Sequence, residues 1–161
     1  MVMTARTRLS CLVRLVEASD IPGIYAVERA CFPDPYPSIF LDDLMKSYQA
    51  QFFVAVDNEE IIGYAVASIS GKYGHVISLG VSPHHRRKRV GSALISALEA
   101  KLSQEGAEEI HLEVRKGNVG AISFYERLGY RPVSEIRRYY PDGEDALVFG
   151  RPMESSASHD P

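Results

Sequence analysis

The 161-residue chain has only two cysteines, Cys11 and Cys31, too few for a disulfide framework and in keeping with reduced thiols in a cytoplasmic protein. No apolar run approaches the ~18 residues that a membrane helix needs, so no helical span is expected. The opening segment, MVMTARTRLS, holds two arginines but no apolar h-region, and does not read as a secretory signal. Positive charge is not in excess either: the net charge is -3, which speaks against a nucleic-acid binder taken as a whole. Internal repeats and domain linkers are also missing, and the length suits one domain with a single core. Residues 12–153 are read as that domain. Residues 1–11 are read as a flexible N-terminal extension, and residues 154–161, ESSASHDP, as a disordered polar tail.

What is present centres on GHVISLGVSPHHRRKRVGSALISALEAK, from Gly74 to Lys101. The apolar and β-branched run Val76, Ile77, Leu79 and Val81 reads as a strand ended by Ser82-Pro83, where proline cannot donate to a ladder. Val90, Ala93, Leu94, Ala97, Leu98 and Leu102 follow helical spacing, so one face of a helix is core. Between them lie Arg86, Arg87, Lys88 and Arg89. This cluster stands where unpaired N–H groups and the positive end of a helix dipole already favour an anion, as in a pyrophosphate site. Gly91 allows close backbone approach and Ser92 adds a small hydroxyl. The glycines match neither a Rossmann fingerprint nor a P-loop. The same four basic residues can also be read as a solvated turn or a nucleic-acid patch.

Arg86-Arg87-Lys88-Arg89-Val90-Gly91 resembles the [RQ]-x-x-G-x-[GA] signature of the GNAT N-acetyltransferases, which implies that it binds the pyrophosphate of acetyl-CoA. Arg89 stands at the first glycine of that signature. A side chain there predicts ordinary helical or β geometry, since a positive φ is costly for arginine.

Elsewhere, Leu12 to Ala18 reads as a first strand, and Ser19 or Asp20 caps a helix bearing Ile21, Ile24, Tyr25, Val27, Glu28 and Cys31. Phe32-Pro33-Asp34-Pro35-Tyr36-Pro37 then forms a stiff loop, because three prolines at alternate positions forbid a helix. A helix from Ser38 to about Tyr48 follows. Gln51 to Val56 and Ile61 to Ile69 read as a hairpin around Asp57-Asn58-Glu59-Glu60. Further on come a strand (Glu109 to Arg115), a helix (Asn118 to Leu128) and two strands (Arg131 to Tyr139, Asp145 to Arg151) joined through Pro141-Asp142-Gly143. The expected fold is α/β: a mixed, mostly antiparallel sheet with a parallel central pair and helices on both faces. The helix from Val90 supplies the crossover of the parallel step.

In Glu109 to Arg115, Ile110, Leu112 and Val114 share one strand face and His111, Glu113 and Arg115 the other. That polar face is either a solvated ladder or a cleft with Glu113 as a base. His75 is similarly open between a surface histidine and a base, and two such ligands fall short of a zinc site, so no metal is expected. Tyr125 reads as helix core or as a proton donor. The chemistry these groups suit is amide formation from a thioester. A base deprotonates the amine, N–H groups steady the carbonyl oxygen, and an acid protonates the departing thiolate.

From His75 onward, the blocks GHVISLGV, RRKRVGSAL, LEVRKGN, AISFYERLGY and RRYYPDGEDALVF are similar to those of the RimI-type and archaeal protein N-α-acetyltransferases. The resemblance implies that Leu79, Gly80 and Val81 bind acetyl-CoA through their backbone. It further implies that Arg86 to Ser92 hold the pyrophosphate, Asn118 the pantetheine and Tyr125 the sulfur. His75 and Glu113 would be a water-linked base pair. Tyr36, Tyr139 and Tyr140 would line the peptide slot, together with Asp34, which replaces a glutamate of the family loop. Protein N-termini, among them ribosomal proteins or nascent chains, are the implied partners, with no nucleic acid and no membrane. The alternatives are acetylation of lysines or small amines, and a CoA-binding regulatory module without turnover.

Overall fold

The structure, a computed structural model, describes residues 11–86 and 88–153. The proposed tail and all of the proposed extension except Cys11 therefore lie outside the described residues, as does Arg87. In chain order the elements are β1 (Leu12–Leu15), α1 (Ile21–Cys31), α2 (Ser38–Tyr48), β2 (Phe52–Asp57), β3 (Glu60–Ser70), β4 (Tyr73–Val81), α3 (Val90–Gln104), β5 (Glu109–Arg115), α4 (Val119–Arg127), β6 (Arg131–Ile136) and β7 (Ala146–Pro152). The strands form one mixed sheet in the order β1-β2-β3-β4-β5-β7-β6. Pairs β1–β2, β2–β3, β5–β7 and β6–β7 are antiparallel. Strands β4 and β5 run parallel, with α3 between them in the chain.

Some boundaries differ from expectation for physical reasons. Strand β1 stops at Leu15, because Ala18–Asp20 winds into a short 3₁₀ turn whose Asp20 carboxylate accepts from the Glu17 N–H at 2.7 Å. Such local side-chain bonds compete with ladder pairing. Strand β6 ends at Ile136 instead of Tyr139. Arg138 takes a φ of +53° and gives its N–H to Asp145 Oδ1 at 2.9 Å, so Tyr139 and Tyr140 stand in a turn.

The chain divides into two compact units, one running up to Ser68 together with Ile77–Lys101, the other combining Ile69–Val76 with the chain from Leu102 onward. In the first, the helix stripes Ile21, Ile24, Val27 and Leu41, Leu44, Met45 pack with Phe52, Val54, Tyr64 and Val66 of β2 and β3. Each fully buried side chain of that size contributes roughly 1.5–3 kcal/mol. Strand β4 has a glycine at position 80 because a Cβ there would meet Tyr64 Cε1 at 3.0 Å. In the second unit, β5 buries Ile110, Leu112 and Val114 and leaves His111, Glu113 and Arg115 half-exposed, the parity that alternation predicts.

Candidate active site

The first unit carries the cationic corner. Strand β4 ends at Val81, and Pro83–His85 makes a 3₁₀ turn before α3 opens at Val90. Arg86, Lys88 and Arg89 are exposed there. Arg86 Nε donates to the Val81 carbonyl at 3.2 Å, and Cys31 Sγ is 3.1 Å from the same oxygen. Arg89 corrects the expectation of ordinary geometry: its φ is +66°. Its carbonyl accepts the Ala93 N–H at 3.1 Å. Arg89 is thus the residue that opens the helix, and it holds the left-handed conformation despite a penalty of about 1–2 kcal/mol for a residue with a Cβ. A left-handed residue just ahead of a helix turns successive N–H groups the same way, which makes an anion cradle. The residues present therefore suit a diphosphate: exposed cations, a helix N-terminus and that cradle, with Gly91 and Ser92 in the first turn.

The loop that follows α1 is also in this unit. Asp34 is exposed and Tyr36 half-buried, with the Tyr36 ring 4.7 Å from that of Phe40. Glu28 accepts the Tyr36 N–H at 2.9 Å and the Tyr64 hydroxyl, which in turn lies 2.7 Å from Ser78 Oγ. Burial pushes the Glu28 carboxyl above its usual range, offset in part by these two donors. Sequence reasoning assigned Glu28 no role. Its signal was an acidic residue four positions after Ile24, inside an apolar helix stripe.

The second unit brings His75, Glu113 and Tyr139 together. Parallel pairing sets His75 opposite His111, two residues before Glu113, and His75 Nε2 lies 2.8 Å from Glu113 Oε1. Tyr139 Oη donates to the same oxygen at 3.4 Å. A carboxylate only accepts, so in the neutral imidazole the N–H sits on Nε2 and the free lone pair on Nδ1. His111, on the same face, turns instead to Glu109 at 3.4 Å.

The turn bearing Tyr139 and Tyr140 is tied to β5 by Arg115. Its guanidinium meets Asp142 and Glu144, each at 2.9 Å, and stands 4.2 Å from the centre of the Tyr140 ring. Gly143, at φ +90°, closes the turn. Burial, with Tyr139 nearby, pushes the Tyr140 phenol up to about 12. Tyr125 of α4 is buried among Phe124 and Tyr130, and that burial, aided by Tyr140, pushes its phenol well above the usual range. Both phenols thus keep their protons through neutral pH. Asn118 is the N-cap of α4, its Oδ1 accepting from the Ala121 N–H at 3.1 Å, which leaves its amide hydrogens for a ligand.

These features accord with known relatives. Residues 21–130 match the model of the acetyltransferase (GNAT) family. The chain is 36% identical over 154 residues to an N-alpha-acetyltransferase of Sulfurisphaera tokodaii, covering 88% of this chain and 92% of the relative. Among solved structures it resembles Ard1 from Thermoplasma volcanium, with a TM-score of 0.88 at 25% identity over 91% of this chain and 100% of that one. It also resembles the ribosomal-protein-S18-alanine N-acetyltransferase from Escherichia coli, at 0.81 and 26% over 94% and 99%. The match over residues 21–130 and the similarity to the Sulfurisphaera tokodaii relative make this chain, with its cationic corner and carboxylate–imidazole pair, a member of the GNAT acetyltransferase family, whose enzymes use acetyl-CoA.

Proposed function

We propose that this acetyltransferase transfers the acetyl group of acetyl-CoA to the α-amino group of protein N-termini, by direct attack of the amine in a ternary complex. The observation that carries the reading is the Glu113 carboxylate, held 2.8 Å from His75 and 3.4 Å from the Tyr139 hydroxyl, beside a turn of two tyrosines. Those rings meet edge to face at 4.9 Å, which favours a narrow slot suited to a chain end. The relatives named as N-terminal acetyltransferases support the same substrate class.

In this reading Lys88, Arg89 and the first turn of α3 hold the pyrophosphate, with Arg86, Arg87 and Ser92 around it, and Asn118 holds the pantetheine. The backbone of Leu79, Gly80 and Val81 positions the thioester. An α-amino group with a pKa near ~8 is mostly protonated at neutral pH, so His75 and Glu113 remove a proton, directly or through one water. The nitrogen bonds to the thioester carbon and the C–S bond breaks. Tyr125, still protonated, supplies the proton to the leaving thiolate. No covalent enzyme intermediate is required. Asp34, Tyr36, Tyr139 and Tyr140 receive the first residues of the peptide. The cytoplasm is the proposed setting, with nascent chains or ribosomal proteins as partners.

The test offers acetyl-CoA and peptides that differ at residue one, with free or blocked amino termini, and locates the acetyl group by mass. Acetylation of free N-termini alone is the expected result. Transfer only to lysines of the blocked peptides would replace the substrate assignment.

A further inference from the structure

Among the described residues two charged side chains are buried, Asp20 and Glu28, and they are handled differently. Asp20 is bonded by the Arg14 guanidinium at 2.8 and 2.9 Å. Glu28, 2% exposed, has no cationic partner among the described residues; its partners are neutral donors. A leucine in that helix stripe would be buried without the cost of desolvating a carboxylate, so packing alone does not account for glutamate.

The loop explains it. Pro33, Pro35 and Pro37 have no N–H, so between residues 32 and 37 only Phe32, Asp34 and Tyr36 can donate from the backbone. Glu28 takes two of these three: its carbonyl accepts from the Phe32 N–H at 3.0 Å and its carboxylate from the Tyr36 N–H at 2.9 Å. One residue therefore holds both ends of the arc that carries Asp34. The Tyr64 hydroxyl fixes the other carboxylate oxygen, and Ser78, the neighbour of Leu79 on β4, braces Tyr64 at 2.7 Å. The carboxylate cannot swing, so the arc has one place to sit.

We propose that Glu28 is a positioning residue for peptide selection, setting where Asp34 and Tyr36 stand and hence which first residue the enzyme accepts. The inference rests on the proposed peptide slot, so its test carries a control for that reading.

Steady-state kinetics are measured on the peptide panel for the parent, Glu28→Leu, Glu28→Gln and the control Tyr36→Ala. Misplaced binding groups cost one to two orders of magnitude, so Glu28→Leu is expected to raise peptide KM about tenfold or more and to flatten the preference among first residues. Acetyl-CoA KM should stay within about twofold, because the cofactor segments keep their own bonds. Glu28→Gln should restore the parent values. Its oxygen can accept from Tyr36 while its amide donates to Tyr64, whose hydroxyl then turns to Ser78.

If Glu28→Leu does not fold, Glu28→Asp, one methylene too short to reach Tyr36, must show the same peptide-specific rise. Parent peptide KM and preference in the Glu28 variants, while Tyr36→Ala raises peptide KM, would overturn the inference alone. An unchanged peptide KM in Tyr36→Ala would remove the slot and the inference with it. An equal rise in acetyl-CoA KM would mark Glu28 as merely structural and also overturn it.

Discussion

Glu28 in the first unit and Glu113 in the second are both glutamates that accept a tyrosine hydroxyl, yet their surroundings suit them to the opposite work proposed for them. Glu28 and Tyr64 are sealed, at 2% and 0% exposure, and the carboxylate is filled by neutral donors. Glu113 has a side chain 18% exposed, shared with a 43% exposed imidazole and an exposed tyrosine. A sealed carboxylate cannot exchange a proton with an arriving amine. A half-open one, in contact with an exposed imidazole that can accept or pass on a proton, can. Residue type is the same, and the difference lies in access to water and to a proton carrier.

The largest test of that contrast is Glu113→Gln. A positioned base contributes about 10²–10⁴ in rate, so kcat should fall at least ~100-fold while acetyl-CoA affinity, read by CoA competition, stays within about twofold. A parent-like kcat would erase the distinction between the two glutamates.

Next comes the pH behaviour of the sealed carboxylates. Asp20 is held below its ordinary 3.8, chiefly by its hydrogen bonds with Arg14, so its contribution is present above that value and is lost as pH falls through the folded pKa. Glu28 has the opposite sign: raised by burial, it contributes below its unfolded value and loses that share as pH rises through the folded pKa. Asp20→Asn should therefore cost about 2 kcal/mol near pH 7, as expected for hydrogen bonds to a charged group, with the loss shrinking as pH falls below 4. For Glu28→Gln, stability relative to the parent should improve as pH rises above 5. Denaturant titrations at several pH values check both signs, and parallel slopes would refute the contrast.

A smaller effect is expected at Arg115, which ties the open region together. Arg115→Ala frees the Tyr139–Tyr140 turn and should raise peptide KM about tenfold, and Arg115→Lys should not restore it in full, because an ammonium lacks the planar guanidinium that stands 4.2 Å from the centre of the Tyr140 ring. Peptide kinetics with saturating acetyl-CoA check this. Smallest is Arg89→Gly, which relieves the left-handed strain at a cost in chain entropy, for a net gain of about 0.5 kcal/mol in thermal unfolding without ligand.

Legibility varied with the range of the forces involved. Alternation in Glu109 to Arg115 foretold which side chains β5 buries, and the helical spacing from Val90 foretold α3, because both patterns are read from neighbours in the chain. Pro33, Pro35 and Pro37 likewise marked a loop where one stands. Arg89 misled, since the preference of glycine for positive φ is a local rule, and the turn ahead of α3 holds an arginine there all the same. Tyr139 read as the end of a strand, but the Arg138 bond to Asp145 and the clamp of Arg115 draw it into a turn with Tyr140.

The sequence by itself therefore determined the order of elements, the parity of β5, the cationic corner and the family, all of which depend on short spacings and on the residue types themselves. Only the tertiary structure decided that His75 reaches Glu113 across 38 positions, that Arg115 locks the tyrosine turn, and that Glu28 is sealed against Tyr36 and Tyr64. The physical reason is that hydrogen-bond pairing between distant segments arises only when strands register and helices pack, and no local pattern encodes which distant side chain will meet a given carboxylate.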